Sequence, residues 1–366
     1  MRAFMSVVAA LMTVGPAACG GGEPGASPDG GSPDAGMDPD APGMDADPTP
    51  DAPPAPFTYQ AIDAPNPRTR LLYDDARRAL YAVNRLDQEI QRFAFAGGTW
   101  SALPPVVVPQ LTDLAMTPDG QTLIVLGRGA VKEIALAGAF EPVHRADNPD
   151  PFCGGFFDKG GATDNGKVLI IFNLAQCSGF SRSYLYDIAD HSLTPRTSFY
   201  NGIVGASADG SRLYIGSNGV SPAQQVTIYN PMANTMSGSS AAYNLNAVAV
   251  SGDASRVILQ NTYVYSRALV LLGNVPPGGA VAASRDSSRA FVYRDDAPGP
   301  RLDIYDLNGP LQSGALYPLL HTVPLPDAAN AMPGTPVSIT MATTLDDSVV
   351  FVSGNRRVLV VPVNGP

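Results

Sequence analysis

The feature that most constrains this chain is a repeated unit of two apolar strands joined by a tight acidic turn. It recurs from residue 57 to the C-terminus, and its turn aspartates are Asp75, Asp119, Asp164, Asp209, Asp253, Asp286 and Asp346. Their spacings are 44, 45, 45, 44, 33 and 60 residues, and the last two together are close to two ordinary periods. A period of this length with several strands per unit is typical of a β-propeller.

Seven copies predict an all-β, seven-bladed β-propeller over residues 57–366. Each blade needs four strands, A innermost to D outermost, but the last copy offers strands only near residues 338–342, 349–352 and 357–363. Residues 57–62 precede the first blade and have no partner there. We therefore predict that they supply the outer strand of blade 7 and close the ring, which removes an exposed sheet edge.

The units Thr117-Pro118-Asp119-Gly120 with Leu123-Ile124-Val125, and Ser207 to Ile215, resemble the repeats of YVTN/lactonase-like propellers. Residues 79–85 resemble the second strand and the following loop of that family. The resemblance covers nearly all of residues 57–366 and implies the propeller fold. It implies no single function, since the superfamily includes lactonases, dehydrogenase subunits, surface-layer proteins and binding scaffolds.

The N-terminus has the pattern of a secretory signal over residues 1–18. Arg2 precedes a short apolar run and then the small residues before Cys19. The Ala17-Ala18-Cys19-Gly20 stretch resembles the lipobox of bacterial lipoproteins, which implies that Cys19 is lipidated and attaches the protein to a membrane, by default the outer membrane. The alternative is cleavage after Ala17 or Ala18 and release of a soluble protein.

Residues 19–56 are predicted to be a disordered acidic linker. Residues 20–56 hold eight acids, no Lys or Arg, and many Pro and Gly. The whole chain has a net charge of −10, but the part from Phe57 holds 25 acids and 22 bases, so the propeller is nearly balanced. A nucleic-acid partner is not expected, because it would require a basic face.

The two cysteines of the propeller are predicted to form a disulfide. Cys153 lies between blades 2 and 3, and Cys177 lies in the B–C loop of blade 3. D–A and B–C loops emerge at the same end of a propeller, and an exported protein meets an oxidising compartment. Two separate buried thiols are the alternative.

The sequence has no recognisable catalytic, cofactor or metal motif. The three histidines are assigned to the outer strand of blade 2 (His144), the C–D loop of blade 3 (His191) and the outer strand of blade 6 (His321). That assignment scatters them, so we predict neither a metal site nor a triad. Polar groups expected at the D–A and B–C end, where propellers bind ligands, are the candidate ligand-binding residues Arg70, Arg85, Asp113, Asp158, Arg294, Asp295 and Arg356.

Three functions remain open at this point. The first is a cell-envelope lipoprotein that displays the propeller as a platform for a protein or carbohydrate ligand. The second is a lactonase-like hydrolase acting at the channel mouth, and the third is a redox partner of the dehydrogenase-subunit type. Convergence of charges of both signs at the mouth favours a small-molecule site.

Overall fold

The computed structural model describes residues 58–138, 140–149, 154–174, 180–219, 221–329 and 339–364. The predictions for the signal peptide, the lipidated Cys19, the linker and the Cys153–Cys177 disulfide lie outside these residues. Within the described part, no helix is long and apolar enough to cross a membrane.

The described residues form seven antiparallel sheets of four strands each. The strands are β1 Gln60–Asp63, β2 Leu71–Asp74, β3 Ala79–Asn84, β4 Glu89–Ala96, β5 Thr99–Val107, β6 Leu111–Met116, β7 Thr122–Gly127, β8 Ala130–Ala135, β9 Pro142–Asp147, β10 Phe156–Ala162, β11 Lys167–Asn173, β12 Phe180–Asp187, β13 Leu193–Tyr200, β14 Ile203–Ala206, β15 Leu213–Gly216, β16 Gln225–Asn230, β17 Thr235–Ala242, β18 Val248–Val250, β19 Val257–Leu259, β20 Tyr263–Tyr265, β21 Leu271–Asn274, β22 Ala280–Ala283, β23 Arg289–Arg294, β24 Arg301–Asp306, β25 Leu319–Pro324, β26 Thr340–Thr343, β27 Val349–Ser353 and β28 Arg357–Pro362. Short 3₁₀ turns follow at Ser313–Ala315 and Pro326–Ala329.

The sheets form a seven-bladed propeller, as predicted. Strands β2, β6, β10, β14, β18, β22 and β26 are the innermost strands of blades 1 to 7, and each contacts the innermost strands of its two neighbours around the ring. The predicted closure is confirmed, since β1 pairs with β28 from Gln60↔Val360 to Asp63↔Arg357 and completes blade 7. The unequal spacings also have a structural origin. Blade 5 has strands of only three or four residues, whereas blade 6 carries a long insertion before β25.

The core lies between the blades. On one face of blade 2, Ile124, Leu126 and Val131 pack against Phe157 and Tyr184 of blade 3. Similar apolar layers lie between the other blades, because alternate residues of each strand face opposite neighbours. Burying each large aliphatic side chain contributes about 1.5–3 kcal/mol, so these layers are the main force that holds the ring.

The turns between strands A and B form a second repeated feature, which we call the turn end of the ring. In blade 2 the Thr117 hydroxyl donates to Asp119 Oδ1 (2.6 Å), and Gln121 N donates to the same oxygen (3.0 Å). Thr122 N donates back to Thr117 Oγ1 (3.0 Å). The same Ser/Thr-x-Asp arrangement recurs at Ser251 with Asp253, Ser284 with Asp286 and Thr344 with Asp346.

Asp75 and Asp164 lie in their turns as predicted, but a neighbouring residue supplies the side-chain acceptor. In blade 1, Asp74 accepts from Arg77 N (3.2 Å). In blade 3, Asn165 accepts from the Thr163 hydroxyl (2.7 Å). The reason is geometric, because the acceptor must lie two residues after the Ser or Thr that starts the turn. In blade 1 that Ser or Thr is itself replaced by an aspartate.

Neighbouring turns also hold each other. Asp209 N donates to Gly252 O (2.9 Å), and Gly252 N donates to Arg285 O (3.1 Å). The series of hydrogen bonds continues into blade 7, where the carboxylate of the buried Asp347 accepts from Arg285 N (2.7 Å). At the turn end, a line of hydrogen bonds thus passes from blade 4 to blade 7, and its last acceptor is the side chain of Asp347.

Candidate functional site

The D–A and B–C loops form the opposite end of the ring, which we call the mouth, and it holds all seven predicted ligand-binding residues. Four of them, Arg70, Arg85, Asp113 and Asp158, come together around the innermost strands of blades 1, 2 and 3. The other three lie on blades 6 and 7. The structure therefore divides the predicted site in two.

In the first group, both arginines bind residues of other blades. Arg85 Nη2 donates to Asp158 Oδ1 (3.1 Å), and its Nε donates to the carbonyl oxygen of Thr112 (2.5 Å). Arg70 Nη2 donates to Gly160 O (3.3 Å), and the N–H of that residue donates to Asp113 Oδ2 (3.1 Å). The four charged groups thus converge on the backbone of β6 and β10, and their contacts join blade 1 to blades 2 and 3.

Asp113 is only 3% exposed, so it cannot meet a solute without movement of its neighbours. Burial raises the pKa of its carboxyl group, while the charge of Arg70, the N–H groups of Leu114 and Gly160 and the charge of Arg85 oppose that rise. A carboxyl group held in this way is a structural partner of the surrounding donors.

In the second group, Arg294 lies within blade 6. Its Nη2 donates to Asp296 Oδ2 (2.5 Å), and Arg301 reaches both Asp296 (2.7 Å) and the buried Asp303 (3.4 Å). Asp295 is exposed in the same loop. The side chain of Arg356 is exposed in the B–C loop of blade 7, while its carbonyl oxygen accepts from Ala64 N (2.8 Å). These residues do not join the first group.

Sequence reasoning missed Arg68, which is fully buried at the seam between blades 1 and 7. Its guanidinium donates to Gln91 Oε1 (2.9 Å), to Gly354 O (2.7 Å) and to the carbonyl oxygen of Ala64. Burial lowers its pKa to about 10, and the charge of Glu89 opposes that effect. The nearest partner in blade 7 is more than 280 residues away in the chain, so no local pattern pointed to this role.

The prediction that the histidines are scattered was wrong for two of them. His144 lies on β9 and His191 in the C–D turn of blade 3, where predicted, but their rings stack at 3.7 Å between centroids and 22° between planes. His321 lies apart on β25. The cause is that adjacent blades pack face to face, which brings the outer strand of one against the C–D turn of the next.

Glu133 completes this group, and we call Glu133, His144 and His191 the histidine cluster. Their potential ligand atoms, one from each residue, all lie within 4.8 Å of one another. Glu133 is buried, and its Oε1 accepts from the Tyr186 hydroxyl (2.5 Å) and lies 3.0 Å from His191 Nδ1. Burial raises the pKa of Tyr186, and its hydrogen bond to Glu133 adds to the rise, so the phenol remains a neutral donor.

The pairing register of strands β8 and β9 is the feature that could have located part of this cluster from the sequence. Glu133 on β8 pairs directly with His144 on β9, so both side chains leave the same face of blade 2. That register contains an irregularity just after Glu133, which cannot be read from the sequence.

Comparison with known proteins supports the fold alone. No family model matches the chain, and the search of curated proteins finds no match. Among solved structures, the chain is similar to the crystal structure of the Myceliophteria thermophila Cps50 (Swd1) β-propeller domain. The TM-score is 0.60 at 9% identity, and the match covers 84% of this chain and 100% of that one. At this identity the likeness establishes a β-propeller domain and nothing about its ligand.

Proposed function

We propose that this chain is a cell-envelope lipoprotein that displays its propeller as a binding platform for a protein or carbohydrate ligand. In this proposal, Cys19 carries the lipid and attaches the chain to a membrane, by default the outer membrane. Residues 20–56 then serve as the spacer. The propeller itself is nearly neutral, with 25 acids and 22 bases from Phe57 onward.

The main support for the proposal is that the charged side chains at the mouth form hydrogen bonds to the backbone of other blades. Arg70 and Arg85 donate to backbone carbonyl groups of β10 and β6, and Asp113 accepts from the backbone of β10. An enzyme site needs charged groups that remain available to a substrate. Charges of both signs do converge here, as a small-molecule site would require, but Arg70, Arg85 and Asp113 bond to the backbone of other blades, which favours a scaffold over a hydrolase.

The outer edge of blades 5 and 6 offers a surface for such a ligand. Leu311 of blade 6 packs over Gly273 of β21 in blade 5, so the C–D loop of blade 6 lies against the outer strand of blade 5. Five apolar side chains of this edge are exposed, namely Val270, Leu271, Leu311, Leu319 and Leu320. Exposed apolar side chains in this number on two neighbouring blades favour a protein interaction site.

The anchor is tested on the full chain expressed in a bacterial host. Mass spectrometry of the membrane fraction should find an acylated N-terminal Cys19, and Cys19→Ser should move the protein to the soluble fraction. Unacylated protein that starts at Cys19 or before it, released equally from both variants, would contradict the lipoprotein part of the proposal.

The platform is tested by photo-crosslinking on whole cells. A photoreactive residue in place of Leu320 should give a discrete, saturable adduct, while the same residue in place of Leu103 should not. Leu103 is the matched control because it is also an exposed leucine on an outermost strand. Equal labelling at both positions would contradict a binding role for this edge.

A lactonase-like hydrolase is the second candidate, because Arg70, Arg85 and Asp158 do converge at the mouth and keep some exposure. A lactone-hydrolysis screen of the full chain is expected to give no saturable turnover. Saturable turnover that Arg85→Met abolishes would replace the platform proposal. The redox-partner alternative rests on the family resemblance alone.

A further inference from the structure

The histidine cluster lies apart from the mouth and from the apolar edge, and it joins blade 2 to blade 3. Glu133 and His144 come from neighbouring strands of blade 2, whereas His191 comes from the turn between β12 and β13 of blade 3. We propose that these three residues bind one divalent transition-metal ion of the zinc class.

The donor set fits that ion. Two imidazoles and one carboxylate are a common ligand set for Zn²⁺, which accepts nitrogen and oxygen donors at about 2.0–2.2 Å. Ligand atoms of such a site lie roughly 3.3–3.6 Å apart. The separation of His191 Nδ1 and Glu133 Oε1, 3.0 Å, is already close to that value. His144 is exposed, and its ligand nitrogen lies within 4.8 Å of the other two ligand atoms.

The environment of Glu133 is the second argument. Its carboxylate is 4% exposed, on the face of blade 2 that packs against the apolar side chains of blade 3. Desolvation of a charged carboxylate is costly, and the charge is usually matched by a cation or a metal. The Tyr186 hydroxyl donates to the same carboxylate oxygen, as the outer-shell partner of a metal-bound carboxylate does.

The turn that carries His191 fixes the place of its imidazole. His191 has φ of +59°, a left-handed turn conformation in which histidine is found more often than most residues. In this conformation its ring lies beside Glu133 and against the ring of His144.

Two ligands come from blade 2 and one comes from blade 3, so the ion would cross-link two blades. The exposed side of the cluster leaves a coordination position open to water or to a ligand. The site therefore combines a structural link between blades with a position that a donor group of a bound partner can occupy.

The experiment is isothermal titration of the metal-free full chain with ZnSO₄, in buffer with excess Mg²⁺ and Ca²⁺ to saturate weak binding by the acidic linker. One Zn²⁺ per chain should bind, and the melting temperature should rise. His144→Ala and His191→Ala should each weaken binding at least tenfold, while His321→Ala, the matched control, should leave it unchanged. Co²⁺ bound at the site should show the intense visible absorption of a complex with four or five ligands. The two cluster variants should lose this absorption.

His144 is exposed, so His144→Ala is expected to fold, and its melting temperature without metal should equal that of the wild type. Equal Zn²⁺ affinity in the wild type and the His144→Ala/His191→Ala double variant would overturn the proposal. So would the absence of any one-to-one binding. The cluster would then be only a hydrogen-bonded contact between blades.

Discussion

The two ends of the ring are held by different chemistry. At the turn end, short Ser, Thr and Asp side chains bond within five residues of themselves, as Thr117 does with Asp119 and Thr122, and backbone hydrogen bonds such as Asp209 N to Gly252 O then join neighbouring turns. At the mouth, arginines reach across blades, from Arg85 to Thr112 and from Arg68 to blade 7. The Ser/Thr-x-Asp turn is repeated in most blades, whereas each arginine contact between blades has its own residues and partners.

The difference between the two ends shows which contacts can be duplicated together with a blade and which cannot. A local turn motif can be copied with the blade, because all its partners lie within the copied unit. A contact between blades depends on two different units, so it is fitted separately at each position. The arginine contacts of the mouth are consequently individual features of this propeller, whereas the Ser/Thr-x-Asp turns belong to its repeat.

The largest effect is expected at the seam. Arg68→Met removes the donors of several buried carbonyl groups and should lower the free energy of unfolding by about 3 kcal/mol or more. Arg145→Met removes an exposed pair with Asp147 and should cost less than about 1 kcal/mol. Urea denaturation of both variants measures the difference, and equal losses would contradict a special role of Arg68 at the mouth.

The next effect tests the close packing of the turn end. Gly210 and Gly166 both have φ of +72°, so alanine introduces the same left-handed strain at each, about 1 kcal/mol. A Cβ at Gly166 meets nothing within 4 Å, whereas at Gly210 it lies 2.7 Å from the carbonyl carbon of Thr163.

Gly210→Ala should therefore destabilise the protein by about 1–3 kcal/mol more than Gly166→Ala, as thermal or urea unfolding would show. If the two variants are equally stable, the turns of blades 3 and 4 do not pack as closely as described.

A smaller effect concerns pH, and it has opposite signs at Asp253 of the turn end and Asp113 of the mouth. Burial alone would raise the pKa of Asp253, but hydrogen bonds from Ser255, Ser287 and Ser251 outweigh it and lower the pKa to about 2. The unfolded value is about 3.9. The stability that Asp253 contributes is therefore complete above about pH 4 and lost as the pH falls toward 2.

At the mouth, burial raises the pKa of Asp113. Its contribution is therefore complete below about pH 3.9 and lost as the pH rises through the folded-state value. The stability difference between the wild type and Asp253→Asn should shrink as the pH falls. The difference between the wild type and Asp113→Asn should shrink as the pH rises. Urea midpoints from pH 2 to 8 measure both, and parallel trends would contradict this assignment.

The sequence predicted the local features and missed the contacts between blades. Seven blades and the pairing of β1 with β28 followed from counting copies and from the unpaired segment at each end. The places of His144 and His191 on their strand and turn were also predicted. Their stacking was not, because it depends on how blades 2 and 3 pack and on an irregular register at Glu133.

The same limit applies to the charged residues of the mouth. Arg70, Arg85, Asp113 and Asp158 were correctly grouped at one end, because loop order assigns each loop to an end of the ring. Their partners are backbone groups of other blades, which sequence spacing does not reveal. Arg68 was missed for the same reason.

The arginines of the mouth are expected to stabilise the folded ring through their contacts with other blades, and not to serve as ligand-binding groups. Urea unfolding of the Arg70→Met/Arg85→Met double variant tests this expectation most directly. The account predicts a loss of about 2 kcal/mol in the free energy of unfolding, since hydrogen bonds from charged donors to the neighbouring blades disappear. An unchanged or higher stability, as expected when residues of a binding site are removed, would contradict it.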